Sequence, residues 1–112
     1  MVSSEPSADG ETPEAVTLIL TMPIKAEFEG DFLAMSREFV AKIHANEPGT
    51  LLFVITRHPE REHTYVLVER YRDEAAFAVH RDSPYLAAIR PKLAQYLDGR
   101  PELLRLEQVI PD

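Results

Sequence analysis

Between Tyr65 and His80 the spacing of apolar residues changes its period within a single short stretch, and this change constrains the fold more than any other feature of the chain. Tyr65, Leu67, Glu69 and Tyr71 alternate with Val66, Val68 and Arg70, the two-residue period of a strand rich in β-branched and aromatic side chains. From Asp73 the period becomes helical. Asp73 is placed to accept a bond from an orphaned backbone N–H, Glu74 sits at the positive end of the helix dipole, and Ala76, Phe77 and His80 share one face. His80 therefore points where Phe77 points, toward the interior. A strand that runs into a helix carrying an inward imidazole is where chemistry is expected.

The rest of the chain supplies elements that pack around this unit. Val16 to Met22 reads as a strand closed by Pro23. Phe28, Phe32, Met35, Phe39 and Ile43 recur at helical spacing with Glu29, Asp31, Arg37, Glu38 and Lys42 opposite, an amphipathic helix whose first turn Gly30 weakens. Asn46, Glu47, Pro48 and Gly49 stop it, and Thr50 to Arg57 forms a second strand. Pro59 to Glu62 is a polar hairpin loop that sets this strand antiparallel to the one beginning at Tyr65. Ser83 and Pro84 start a further helix, with Pro91 predicting a kink or break near Arg90 and Gly99 predicting its end. Leu103 to Ile110 is the expected last strand.

The order β-α-β-β-α(α)-β predicts an α+β domain over residues 15–112 of ferredoxin-like pattern: a four-stranded antiparallel sheet with helices on one face. Residues 1–14 are nearly devoid of apolar side chains and are expected to form a disordered leader. Leu18 to Leu20, Leu51 to Ile55 and Val66 to Val68 are apolar on both sides of their strands. Helices cover one sheet face only, so the other is expected to pair with a second copy as a homodimer.

Composition narrows the function classes. The formal net charge is −7, and four of the 19 acidic residues lie in the first fourteen positions, which hold none of the 12 basic ones. The remainder is mildly acidic and lacks the basic face that nucleic-acid binding needs. There is no cysteine, hence no disulfide and no thiolate chemistry. No apolar run approaches the roughly 20 residues of a membrane span, and Met1 to Ser7 has no secretory pattern, so a cytoplasmic location is expected. His44, His58 and His63 show no ligand spacing, and the glycines form no phosphate-cradling loop, so neither a metal nor a nucleotide is expected.

Four motifs carry a resemblance. Asn46-Glu47-Pro48-Gly49-Thr50-Leu51, Glu69 through His80, Ser83-Pro84-Tyr85 and Arg105-Leu106-Glu107 together resemble the antibiotic biosynthesis monooxygenase (ABM) domain, over about Ala15 to Ile110. The resemblance implies a dimeric α+β barrel and three enzymatic options. Quinol and polyketide monooxygenases of this family use no metal, flavin or haem; an acidic phenol is deprotonated in a water-poor pocket and its anion reduces O₂ directly. The haem-degrading branch has a Trp where His80 stands, a His where Ile89 and Arg90 stand and an Asn in the first strand, all absent here. The isomerase branch, acting on small phosphorylated ketones, shares Asp73-Glu74-x-Ala76-x-x-x-His80 and the following Pro84.

The expected function is therefore a cofactor-independent monooxygenase of a quinol or similar electron-rich aromatic, with His80 as base. Tyr71 and Tyr85 are expected to orient a phenolic oxygen, Arg90 to stabilise the anion if the kink turns it inward, and Glu69 to lie at the substrate or in a structural pair, with Arg105 as one candidate partner. An isomerase on the same scaffold and a non-catalytic ligand-binding dimer, in which His80 is a core-edge histidine, are the alternatives.

Overall fold

The computed structural model describes residues 14–111. Apart from Glu14, the leader lies outside the described residues. Four strands, β1 (Val16–Pro23), β2 (Thr50–Arg57), β3 (Thr64–Tyr71) and β4 (Glu102–Leu106), form one sheet in the order β2-β3-β1-β4, with every neighbouring pair antiparallel. Three α-helices accompany them: α1 (Glu29–Asn46), α2 (Glu74–Arg81) and α3 (Pro84–Tyr96). This is the ferredoxin-like α+β arrangement expected from the periodicities. No helix among the described residues is long and apolar enough to cross a membrane.

The strand periods decide which side chains meet the helices. Val16, Leu18 and Met22 of β1, Phe53 of β2 and Tyr65, Leu67, Glu69 and Tyr71 of β3 are buried beneath them. On α1, Phe32, Ser36, Phe39 and Ile43 are the buried positions, at steps of three and four. Phe39 meets Phe53 edge-on with ring centroids 5.6 Å apart, and Phe32 packs on Tyr65 at 5.0 Å. The opposite sheet face carries Thr17 and Ile19 of β1, Leu52 and Val54 of β2, Val66 and Val68 of β3 and Leu104 and Leu106 of β4. Several of its apolar side chains are strongly exposed, Leu104 at 58%.

Three local expectations are corrected. Pro91 neither breaks α3 nor ends it, and the helix runs on to Tyr96. Pro91 and Ala87, whose carbonyl loses its partner, are both exposed, so solvent can satisfy that carbonyl. α3 stops at Tyr96 rather than at Gly99, because Leu97 turns extended to bridge Ile24 of the chain following β1. β4 ends at Leu106 instead of Ile110. Leu106 pairs with Thr17, the second residue of β1, so the ladder stops with only Val16 of that strand left beyond it.

Candidate active site

The caps at the start of α2 and α3 set the position of His80. Asp73 accepts a hydrogen bond from the backbone N–H of Ala76 at 2.8 Å, and Ser83 accepts from that of Leu86 at 3.3 Å. Only Asp82 and Ser83 separate the two helices, and His80 is the one fully buried residue of α2, 5% exposed. Its ring lies against Tyr71, Phe53 and Phe39, with centroids 5.2, 5.5 and 5.7 Å away.

A carboxylate stands behind the ring. Glu47, the first residue past α1, is buried, and its Oε1 lies 3.0 Å from Nδ1 of His80. Thr50 Oγ1 donates to the same oxygen at 2.6 Å, and the Tyr85 hydroxyl donates to Oε2. With Nδ1–H donating to Glu47, the neutral imidazole keeps its free lone pair on Nε2, the nitrogen a base would use. Gly49 makes this approach possible, since a Cβ there would stand 2.5 Å from Cβ of Ala76. The Glu47 loop thus presses directly on the first turns of α2.

His80 also lines a cavity of about 260 Å³ between the sheet and the helices. The walls are almost wholly apolar: Leu18, Leu20, Met22, Phe32, Met35 and Leu93 among others. The polar lining consists of His80, Glu69 and Ser36, all buried, and Arg81 and Arg90, both exposed. Glu69 accepts a hydrogen bond from the Tyr71 hydroxyl at 2.6 Å. Burial pushes the Glu69 carboxyl above its usual range, against the opposing pull of that bond and of nearby His80. Burial likewise raises the Tyr71 phenol far above the ordinary tyrosine value, and burial together with the bond to Glu47 pushes Tyr85 up to about 12. Both hydroxyls therefore serve as proton-bearing donors at neutral pH.

His80, Glu69 and Arg90 line one cavity, whereas Tyr71 and Tyr85 are not among its lining residues. They stand one layer back, holding the carboxylates of Glu69 and Glu47. Arg105 does not pair with Glu69; it reaches Glu74 on α2. Arg90 is exposed and donates to the carbonyl of Arg81 at 3.3 Å. Glu47 and Ser36 are missed by sequence reasoning. Glu47 lies inside a quoted motif but reads as part of a helix stop. Ser36 betrays itself only as a polar residue between Phe32 and Phe39 on the apolar face. Among the described residues no group of three or more His, Asp or Glu is placed to hold a metal ion.

The family model for antibiotic biosynthesis monooxygenase matches residues 15–92, from the chain before β1 into α3. The chain belongs to the antibiotic biosynthesis monooxygenase family. No curated protein matches the sequence. Among solved structures, an ABM protein of Caulobacter crescentus, so named by provisional assignment, is 25% identical with a TM-score of 0.83 over 87% of this chain and 92% of its own. A conserved protein of Methanosarcina mazei superposes with a TM-score of 0.80 at 18% identity, covering 90% of this chain and 97% of its own. A provisionally assigned ABM protein of Nitrosomonas europaea gives 0.79 at 18% identity, over 90% and 96%. At those lower identities the likeness is one of ABM fold.

Proposed function

We propose that this ABM-family protein is a cofactor-independent monooxygenase that oxidises a quinol or similar electron-rich aromatic with O₂, working in the cytoplasm as a homodimer. The observation that carries the reading is His80, its Nδ1 held by buried Glu47 while its ring borders an apolar cavity. A base fixed in one tautomer beside a water-poor space suits deprotonation of a phenol, whose anion is the electron-rich form that O₂ oxidises. The substrate supplies every electron that O₂ takes up; one oxygen atom enters the ring and the other leaves as water. Tyr71 and Tyr85 support the site by holding Glu69 and Glu47, and Arg90 and Arg81 border the cavity with positive charge.

The alternatives are less well supported. Phe77, Leu86 and Met35 border the cavity without filling it, which argues against an idle packed core. Its mostly apolar walls suit a planar ring better than a phosphorylated ketone. For the assembly, the argument is the outer sheet face, where Ile19, Val54, Val68, Leu104 and Leu106 form an apolar surface that a second sheet would cover.

The test is oxygen uptake by metal-stripped protein with a panel of quinols and polyhydroxylated aromatics, beside His80→Ala. Uptake above the uncatalysed rate that falls by about two orders of magnitude or more in the variant supports the reading. Uptake unaffected by the substitution removes His80 from it.

A further inference from the structure

Among the described residues, Ser36, Glu47, Thr64, Glu69, His80 and Ser83 are the buried polar side chains. All but one are held. Glu47 meets Thr50, His80 and Tyr85, Glu69 accepts from Tyr71, Thr64 donates to the carbonyl of Glu62, and Ser83 accepts from the N–H of Leu86. Ser36 is the exception. It is 6% exposed, and its hydroxyl has no hydrogen-bond partner among the described residues, not even the carbonyl of Phe32 one turn earlier, the acceptor closest to hand for a helical serine. Burying a hydroxyl without a partner costs stability, and alanine in the same place would remove that cost and favour the helix more. The stability of the fold therefore does not account for a serine here.

Ser36 belongs to the wall that α1 gives to the cavity. Along that wall it stands between Phe39, whose ring meets that of His80, and Phe32, whose ring packs on Tyr65. His80 comes from α2, so the base and this serine reach one cavity from different helices. With Phe53 and Ile55, Ser36 also borders an outer groove between α1 and β2. Turned to the groove, the hydroxyl would be indifferent to what the cavity holds; turned to the cavity, it meets the occupant. A serine hydroxyl donates one bond and accepts two, so it fits a phenolic oxygen and a carbonyl oxygen equally.

We infer that the Ser36 hydroxyl binds the occupant of the cavity through an oxygen other than the one that His80 deprotonates, so that the site takes aromatic compounds bearing at least two oxygens. The inference rests on the reading of this cavity as the substrate site and adds to the base a second polar contact, from α1. A ring with a single oxygen covers the hydroxyl and forgoes that bond, which is the basis of the selection.

The experiment is anaerobic titration calorimetry of the wild-type protein and Ser36→Ala with 1-naphthol and its 1,2-, 1,4- and 1,5-dihydroxy counterparts, beside thermal melts of both proteins without ligand. In wild type at least one diol should bind at least about fivefold more tightly than 1-naphthol. Ser36→Ala should abolish that gain and leave the affinity for 1-naphthol unchanged, while melting no lower than wild type. Binding of none of the probes, no gain for any diol, survival of every gain in Ser36→Ala, or an equal loss for 1-naphthol would overturn the proposal. So would a lower melting temperature of the ligand-free variant, which would mean that the hydroxyl serves the fold. Because oxygen is absent, the outcome is separable from the oxygenase reading: a Ser36-dependent gain without oxygen uptake condemns the chemistry alone. His80-dependent uptake without the gain condemns only the role of Ser36.

Discussion

Nδ1 of His80 lies 3.0 Å from Oε1 of Glu47, a residue 33 positions away, and both side chains are almost completely buried. The pair joins the end of α1 to the end of α2. Its geometry makes Glu47 a positioning residue: it fixes the ring's orientation and leaves Nε2 as the acceptor.

Glu47→Gln should lower kcat on any quinol that the protein turns over by at least about tenfold while leaving KM nearly unchanged. The substitution disturbs the tautomer and aim of the base without touching substrate. Steady-state oxygen uptake checks the split. A rise in KM at constant kcat would place Glu47 in binding instead.

Val54→Asp and Leu104→Glu put charge on the outer sheet face, at positions that are exposed in the single chain. Each should convert a dimer into monomer or unfold it, because a charge facing an apolar partner surface is left without compensation. Light scattering coupled to size exclusion provides the readout, and a folded wild-type monomer would end the assembly argument.

Glu69 sets a pH dependence on stability. Its carboxyl in the folded chain is raised above 4.5, so its contribution is complete below the unfolded value and is lost as pH rises through the folded one. Wild-type stability should decline over that window by at most about 1.4 kcal/mol per pH unit from this group, and Glu69→Gln should flatten the decline. Urea denaturation of both proteins across the range from pH 4 to 8, roughly the span over which the sign matters, would show parallel curves if Glu69 ionises freely.

Gly49→Ala should destabilise by about 1–3 kcal/mol, because its Cβ would press on Ala76 at 2.5 Å. The double variant Gly49→Ala/Ala76→Gly removes the clash, so the two changes should be markedly non-additive in thermal melts. Additive losses would mean that the loop relaxes freely.

The fold was legible because its signals are local. Period two in Tyr65–Tyr71, period 3.6 in Phe32–Ile43 and the caps at Asp73 and Ser83 are each decided by neighbouring residues, and each is in place. What failed depended on distant ones: Leu97 leaves its helix for Ile24, and β4 ends opposite Thr17, next to the first residue of β1. The site divides the same way. His80 was found from its face on α2, since Phe77 and His80 share that helix. Glu47 was not, because nothing in a turn motif says that its carboxylate will meet an imidazole, a threonine and a tyrosine from three later segments.

The cover of the cavity has a common anchor. α2 contributes His80 as its only fully buried residue and α3 contributes none, so the two helices rest on half-buried side chains and on the carboxylate of Glu47. One oxygen of that carboxylate meets His80 on α2 and the other takes the Tyr85 hydroxyl on α3, so the turn between α1 and β2 ties the two helices to each other as well as to itself. A change in that turn therefore reaches both helices together.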